Sequence, residues 1–218
     1  MECNQLDLKQ TQQMILYLSQ KMIESKDMLT IADQAIGDGD HGIGMAKGFE
    51  AVEQKMQTDS FKSLGELFKT VGFTLMTSIG GASGAIFGTM YQGAAIPLSD
   101  KRAFDACTLS LFLVEGLTAV RKRGKAKPGD KTMVDALEPA AKASVNQTDF
   151  PIETALKAVT EACRIGMEKT KEMTATMGRA KTLGDRSLGH PDPGAISTHL
   201  MLSFMLEYVI KQSKEQVA

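Results

Sequence analysis

Apolar residues recur at helical spacing along almost the whole chain, and no stretch shows the apolar-polar alternation of a half-buried strand. An all-α fold follows. Leu64, Leu67, Phe68, Val71, Leu75 and Ile79 form one stripe, and Phe104, Cys107, Leu111, Val114, Leu117 and Val120 form another. An earlier amphipathic helix is read over about 8–28 around Met14, Ile15, Leu18 and Met22, and a further one over about 43–56 through Ala46, Phe49 and Val52. Asp149-Phe150-Pro151 resembles a helix start leading into Ala155, Leu156, Val159 and Cys163, and a last helix begins near Pro193. With shorter pieces at about 83–92 and 132–145, about eight helices fit, joined by glycine-rich loops. No internal repeat or low-complexity linker divides them, so residues 1–218 read as a single domain with one sizeable core.

Charge and cysteine usage narrow the class of partner. Lys and Arg are interspersed with Asp and Glu to a formal net charge of −1, which offers neither nucleic acid nor an anionic membrane a footprint. The short basic run Arg121-Lys122-Arg123 reads as a solvated helix end that complements the helix dipole. Cys3, Cys107 and Cys163 have neither disulfide nor metal spacing, so a reducing, cytoplasmic location is expected. The greasiest run, Leu109 to Leu117, is too short to span a bilayer and contains Glu115.

The chemistry concentrates in Ile36-Gly37-Asp38-Gly39-Asp40-His41-Gly42-Ile43, with Asp33 about one turn upstream. Hard dications such as Mg²⁺ take oxygen ligands, and a few carboxylates together with substrate phosphates commonly hold them. The cluster therefore reads as a metal-phosphate site. An EF-hand fits poorly, because no Asp/Asn series or closing Glu follows Asp38, and zinc fits poorly because His41 lacks His or Cys partners.

Three further glycine-rich segments lie between the expected helices. Ser78-Ile79-Gly80-Gly81-Ala82-Ser83-Gly84 opens a helix whose amides suit a phosphate, although small residues serve equally to let two helices approach. Gly124 to Thr132 nearly spells a P-loop, but Asp130 stands where Lys should follow Gly129 and no strand precedes it. The segment from Gly178-Arg179-Ala180 to Asp192-Pro193-Gly194 carries two arginines suited to phosphate oxygens, and Asp192 can cap the last helix.

Together, Asp33 with Gly37 to Gly42, Gly80 to Gly84, Gly124 to Met133, and Gly178 to Gly194 resemble the ADP-binding L subunit of dihydroxyacetone kinase, in that family's order. The resemblance implies an eight-helix antiparallel barrel with ADP or ATP and two Mg²⁺ in the interhelical loops at one end. It implies Asp33, Asp38 and Asp40 as the metal ligands, and no other catalytic residue in this chain. His41, Gly42, Ile43 and Gly44 are expected beside the nucleotide, Gly81, Ala82 and Ser83 at its phosphates, Gly124 and Met133 at its base, and Arg179, Asp192, Pro193 and Gly194 around the rest. Gly44 and Lys47 depart from the family, which often has Asn or Thr and Arg there.

The implied partners are a dihydroxyacetone-binding K subunit and the phosphohistidine M subunit of a phosphoenolpyruvate-dependent phosphotransferase system. Two alternatives stay open: an ATP-exchanging subunit of another small-sugar or fatty-acid kinase, and a nucleotide-loaded module that binds a transcription regulator.

Overall fold

In the computed structural model, which describes residues 2–215, the periodic segments become nine α-helices. They are α1 (Leu8–Glu24), α2 (Lys26–Gln34), α3 (His41–Thr58), α4 (Leu64–Ser78), α5 (Gly81–Ala95), α6 (Ala106–Gly124), α7 (Met133–Val145), α8 (Ile152–Lys169) and α9 (Pro193–Glu215). From α3 onward each helix packs on its successor, and α9 and α3 both return to α1. Eight helices thus close a ring of largely antiparallel neighbours, because most connections are too short to allow anything else. The short α2 is added against α3 and α9. Alternation of direction brings the connections 35–40, 79–80, 125–132 and 170–192 to one end.

Burial of the α4 stripe is complete, from Leu64 through Leu75, with Ile79 at the helix end. At the barrel's centre Phe68 meets Phe112 with ring centroids 4.9 Å apart, and Tyr91 meets Phe112 at 5.3 Å in an edge-on arrangement that aromatic quadrupoles favour. Most of the methionines fill the same core, among them Met14, Met22, Met45, Met90 and Met201.

Four details differ from the periodicity reading. The first expected helix breaks at Ser25, whose hydroxyl and amide both bond the Lys21 carbonyl, at 2.8 and 3.1 Å, and so close α1 one turn early. Leu6–Asp7 and Ala103–Phe104 form a two-residue antiparallel pair, too short to leave any alternation in the sequence. Phe104 therefore lies in a strand, and α6 starts at Ala106 behind an Asp105–Thr108 capping box. Because α5 and α7 cover α6 from two sides, its buried face runs through Leu109, Phe112, Leu113 and Gly116, while Cys107 is exposed. Finally, Asp149 makes no capping bond, and Pro151 stands at the N-cap of α8.

The basic run Arg121-Lys122-Arg123 does occupy the last turn of α6. Where α3 begins, it crosses α2 so closely that a Cβ on Gly42 would lie 2.2 Å from the Lys26 carbonyl oxygen. Backbone cannot yield there as a side-chain tip can. Gly42→Ala is expected to lower unfolding free energy by about 1–3 kcal/mol in urea titrations, and to weaken dication binding because α2 carries Asp33. Wild-type stability for this variant would show that α2 moves freely.

Candidate functional site

The last turn of α2 presents Asp33, and the loop to α3 presents Asp38 and Asp40. Each offers a carboxylate oxygen, and these oxygens all lie within 4.8 Å of one another. One Asp33 oxygen accepts the His41 amide at 3.2 Å, and the Asp40 carbonyl accepts the Gly44 amide at 2.9 Å, so the turn is tied to the start of α3. Three carboxylates this close repel unless positive charge stands among them. In the protein alone that charge comes from Arg179, which is ion-paired with Asp38 and places its other guanidinium nitrogen 3.3 Å from Asp40.

Across the cleft, α5 begins with Gly80 at its N-cap and no side chain capping its first amides. Gly81 adopts φ +68°, a left-handed conformation that favours glycine, and nothing stands within 4 Å of where a Cβ would be. Exposed first-turn amides at the positive end of a helix suit an anion.

His41 closes the floor between these walls. It is 7% exposed, with Nδ1 3.1 Å from the Ser83 hydroxyl and Nε2 2.8 Å from the Ser197 hydroxyl. Burial holds its pKa below the usual imidazole value, with Asp33 acting the other way. A neutral ring has one donor and one acceptor, and both are engaged by the two serines. The side chain therefore links α3, α5 and α9.

At the head of α9, Asp192 Oδ2 accepts the Ala195 amide at 2.7 Å, which is the capping bond expected for that residue. Desolvation pushes the Asp192 carboxyl up to about 7, a nearby Asp135 adds to the rise, and Lys131 and the helix amides oppose it. The segment 125–132 follows helix α6, not a strand. Asp130, which breaks the P-loop pattern, accepts the Thr176 hydroxyl at 2.6 Å and the Lys127 amide at 2.7 Å. It joins this loop to the one ahead of Gly178.

One cleft is lined by Asp33, Asp38, Asp40, His41, Gly81, Ala82, Ser83, Met133, Arg179, Asp192, Pro193 and Gly194. Gly42, Ile43, Gly44 and Gly124 lie outside that lining. Gly42 faces α2, Ile43 is 55% exposed, Gly44 abuts Ile79, and Gly124 abuts Ile86, which is itself in the cleft wall. The sequence reading named Lys131 and Thr132 only within the Gly124 to Met133 motif and did not single out Ser197 or the apolar lining residues Ile86, Phe87 and Met177. Periodicity hides the apolar ones among core residues. Ser197 carried a weak signal, since it stands one turn into the helix that Asp192 caps. Such a cleft can hold a hard dication at one wall, an anion at the helix end and a flat apolar group between.

A family model described as DAK2 domain matches residues 35–207. The chain is 40% identical over 190 residues to the ADP-binding subunit DhaL of PEP-dependent dihydroxyacetone kinase 1 from Listeria innocua, covering 86% of this chain and 90% of that protein. It is 37% identical over 181 residues to the DhaL subunit of the PEP-dependent dihydroxyacetone kinase of Escherichia coli, covering 82% and 86% respectively. Among solved structures, the dihydroxyacetone kinase of C. freundii in complex with AMP-PNP and Mg²⁺ superposes with a TM-score of 0.74 at 23% identity. That match covers 94% of this chain and 35% of the other, so it speaks to the fold, and this chain spans about a third of the larger protein.

Two outcomes follow from the geometry. Arg179→Met frees Asp38 and Asp40 of their counter-ion, so Mn²⁺ binding without any nucleotide should tighten by about 3- to 5-fold in a spin-resonance titration. Weaker binding would mean that Arg179 does not compete with a dication. Asp192 has a folded pKa raised above its unfolded value of about 4, so its contribution is fully present below pH 4 and is lost as pH rises through about 7. Asp192→Asn keeps a capping acceptor, and its melting temperature should gain on the wild type progressively between those values and hold that gain above them. A pH-independent difference would contradict the burial argument.

Proposed function

The chain belongs to the DAK2-domain family, and on that premise we propose that it is the ADP-binding subunit of a phosphoenolpyruvate-dependent dihydroxyacetone kinase. The observation that carries this reading is the pairing, across one cleft, of three clustered carboxylates with the uncapped amide end of α5. The donor set fits the proposed cofactor: oxygen ligands suit Mg²⁺ and bare helix amides suit a phosphate.

In this reading Asp33, Asp38 and Asp40 hold two Mg²⁺, and the first turn of α5 with Ser83 holds the phosphates. Met133 and the apolar wall around Ile86 and Met177, with Gly124 behind Ile86, take the base, and Asp192 to Gly194 with Arg179 border the rest. His41 to Gly44 support the site from α3. Bound ADP, phosphorylated in place by a phosphohistidine M subunit, would supply the γ-phosphoryl that passes to dihydroxyacetone on a K subunit. For such a transfer the protein chiefly provides positioning and charge stabilisation. Asp33, Asp38 and Asp40 fix the position of positive charge, and His41 fixes the Ser83 hydroxyl.

No group of this chain acts as general base toward the sugar, a reading supported by the complete engagement of the His41 ring with two serines. The K subunit provides it. Residues 1–218 act as one nucleotide-binding domain in the cytoplasm, and among the described residues no helix is long and apolar enough to cross a membrane.

Acid release and chromatography of the small molecule that co-purifies with the chain tests the reading. ADP is expected from the wild type, and labelled ATP in solution should exchange with it slowly if the nucleotide is a cofactor. Asp38→Asn, with unchanged helical circular dichroism, is expected to release little or none, because metal and nucleotide leave together. Full ADP retention in that variant would overturn the assignment.

A further inference from the structure

Lys131 lies in the 124–132 loop that nearly spells a P-loop, and it borders the cleft. It is 2% exposed, and desolvation lowers the pKa of its ammonium group while Asp192 and Asp135 act the other way. Burying an ammonium is unfavourable unless oxygens surround it. Here Nζ donates to the Thr170 carbonyl at 2.5 Å and to the His190 carbonyl at 2.6 Å. These two carbonyls stand near opposite ends of the long connection between α8 and α9, so one cation draws that loop shut.

Two more bonds run alongside. The Asp192 amide donates to the Thr170 hydroxyl at 2.9 Å, and the Gly189 amide donates to the Lys171 carbonyl at 2.8 Å. Lys131 itself is held at φ +60°, a left-handed conformation that a non-glycine residue adopts only where its surroundings hold it. Immediately after it, Thr132 and Asp135 form the capping box of α7. A compact cation with three donors can meet two converging carbonyls in a way that no neutral side chain of that length can.

We infer that Lys131, clamped between Thr170 and His190, is the positioning residue that sets the Asp192–Gly194 edge of the cleft. The inference rests on the nucleotide reading of that cleft. Through Asp192 the same tether fixes the start of α9, and therefore the Ser197 hydroxyl that meets His41.

The test compares the wild type, Lys131→Met and Thr170→Val. Three quantities are measured on the whole chain: amide hydrogen exchange, Mg²⁺-ADP affinity by calorimetry, and Mn²⁺ binding without nucleotide. For Lys131→Met we expect exchange protection to fall over residues 189–196 while α4 and α6 keep theirs. Its ADP affinity should drop about tenfold with nucleotide-free Mn²⁺ binding unchanged. Thr170→Val, which removes the bond from the Asp192 amide together with the hydroxyl's own bond to the Met167 carbonyl but leaves the Thr170 carbonyl to Lys131, should change the same two readouts in the same direction and by less.

A folded Lys131→Met protein with ADP affinity within about twofold of wild type overturns the inference. So does a loss of protection spread evenly over the barrel. Should Lys131→Met fail to fold, wild-type affinity and protection in Thr170→Val overturn it instead. A wild-type chain that binds no ADP overturns the nucleotide reading, and exchange at 189–196 then decides alone whether Lys131 holds the edge.

Discussion

Three carboxylates whose oxygens lie within 4.8 Å of one another concentrate negative charge that a cation relieves, and the rest of the site is arranged around that fact. Arg179 meets the need in the protein alone, reaching in from the long α8–α9 connection. Dications would meet it better, since they carry twice the charge and bind oxygen directly. On the proposed reading a diphosphate would in turn neutralise the positive charge the dications leave over, and charge balance would couple metal, nucleotide and the arginine loop.

The barrel makes that coupling possible through direction alone. Helices that alternate around a closed ring deliver every second connection to the same end, where 35–40, 79–80, 125–132 and 170–192 meet. They bring carboxylates, bare amides and a buried lysine in turn, and 170–192 brings both the Arg179 cation and the capping Asp192. The helices behind them are packed tightly, as the Gly42 crossing shows, so the carboxylates are set by rigid elements and not by the loop alone.

Much of this was legible in the residues. The α4 stripe, the helix entering at Pro193, the Asp192 cap and the carboxylate cluster all follow from spacing and side-chain chemistry. What stayed hidden has identifiable causes. The break at Ser25 depends on a single hydroxyl choosing a backbone carbonyl, which a hydrophobic period cannot register. The face of α6 rotated because neighbours cover two sides of it, so apolar residues at several spacings were equally admissible. The apolar wall of Ile86, Phe87 and Met177 has the composition of core, and only the ring's geometry turns it toward a cleft. The clamp made by Lys131 was hidden most completely, because its partners are backbone carbonyls about forty and sixty residues away that leave no mark on the sequence.

Whether carboxylate-held dications anchor the diphosphate is read by calorimetric titration of nucleotide-stripped protein with ADP, run in Mg²⁺ and again in excess chelator. Tight binding in Mg²⁺ and its near-complete loss in chelator is the predicted result. Comparable affinity in both would contradict it, since the nucleotide would then be held by something other than metal bound at Asp33, Asp38 and Asp40.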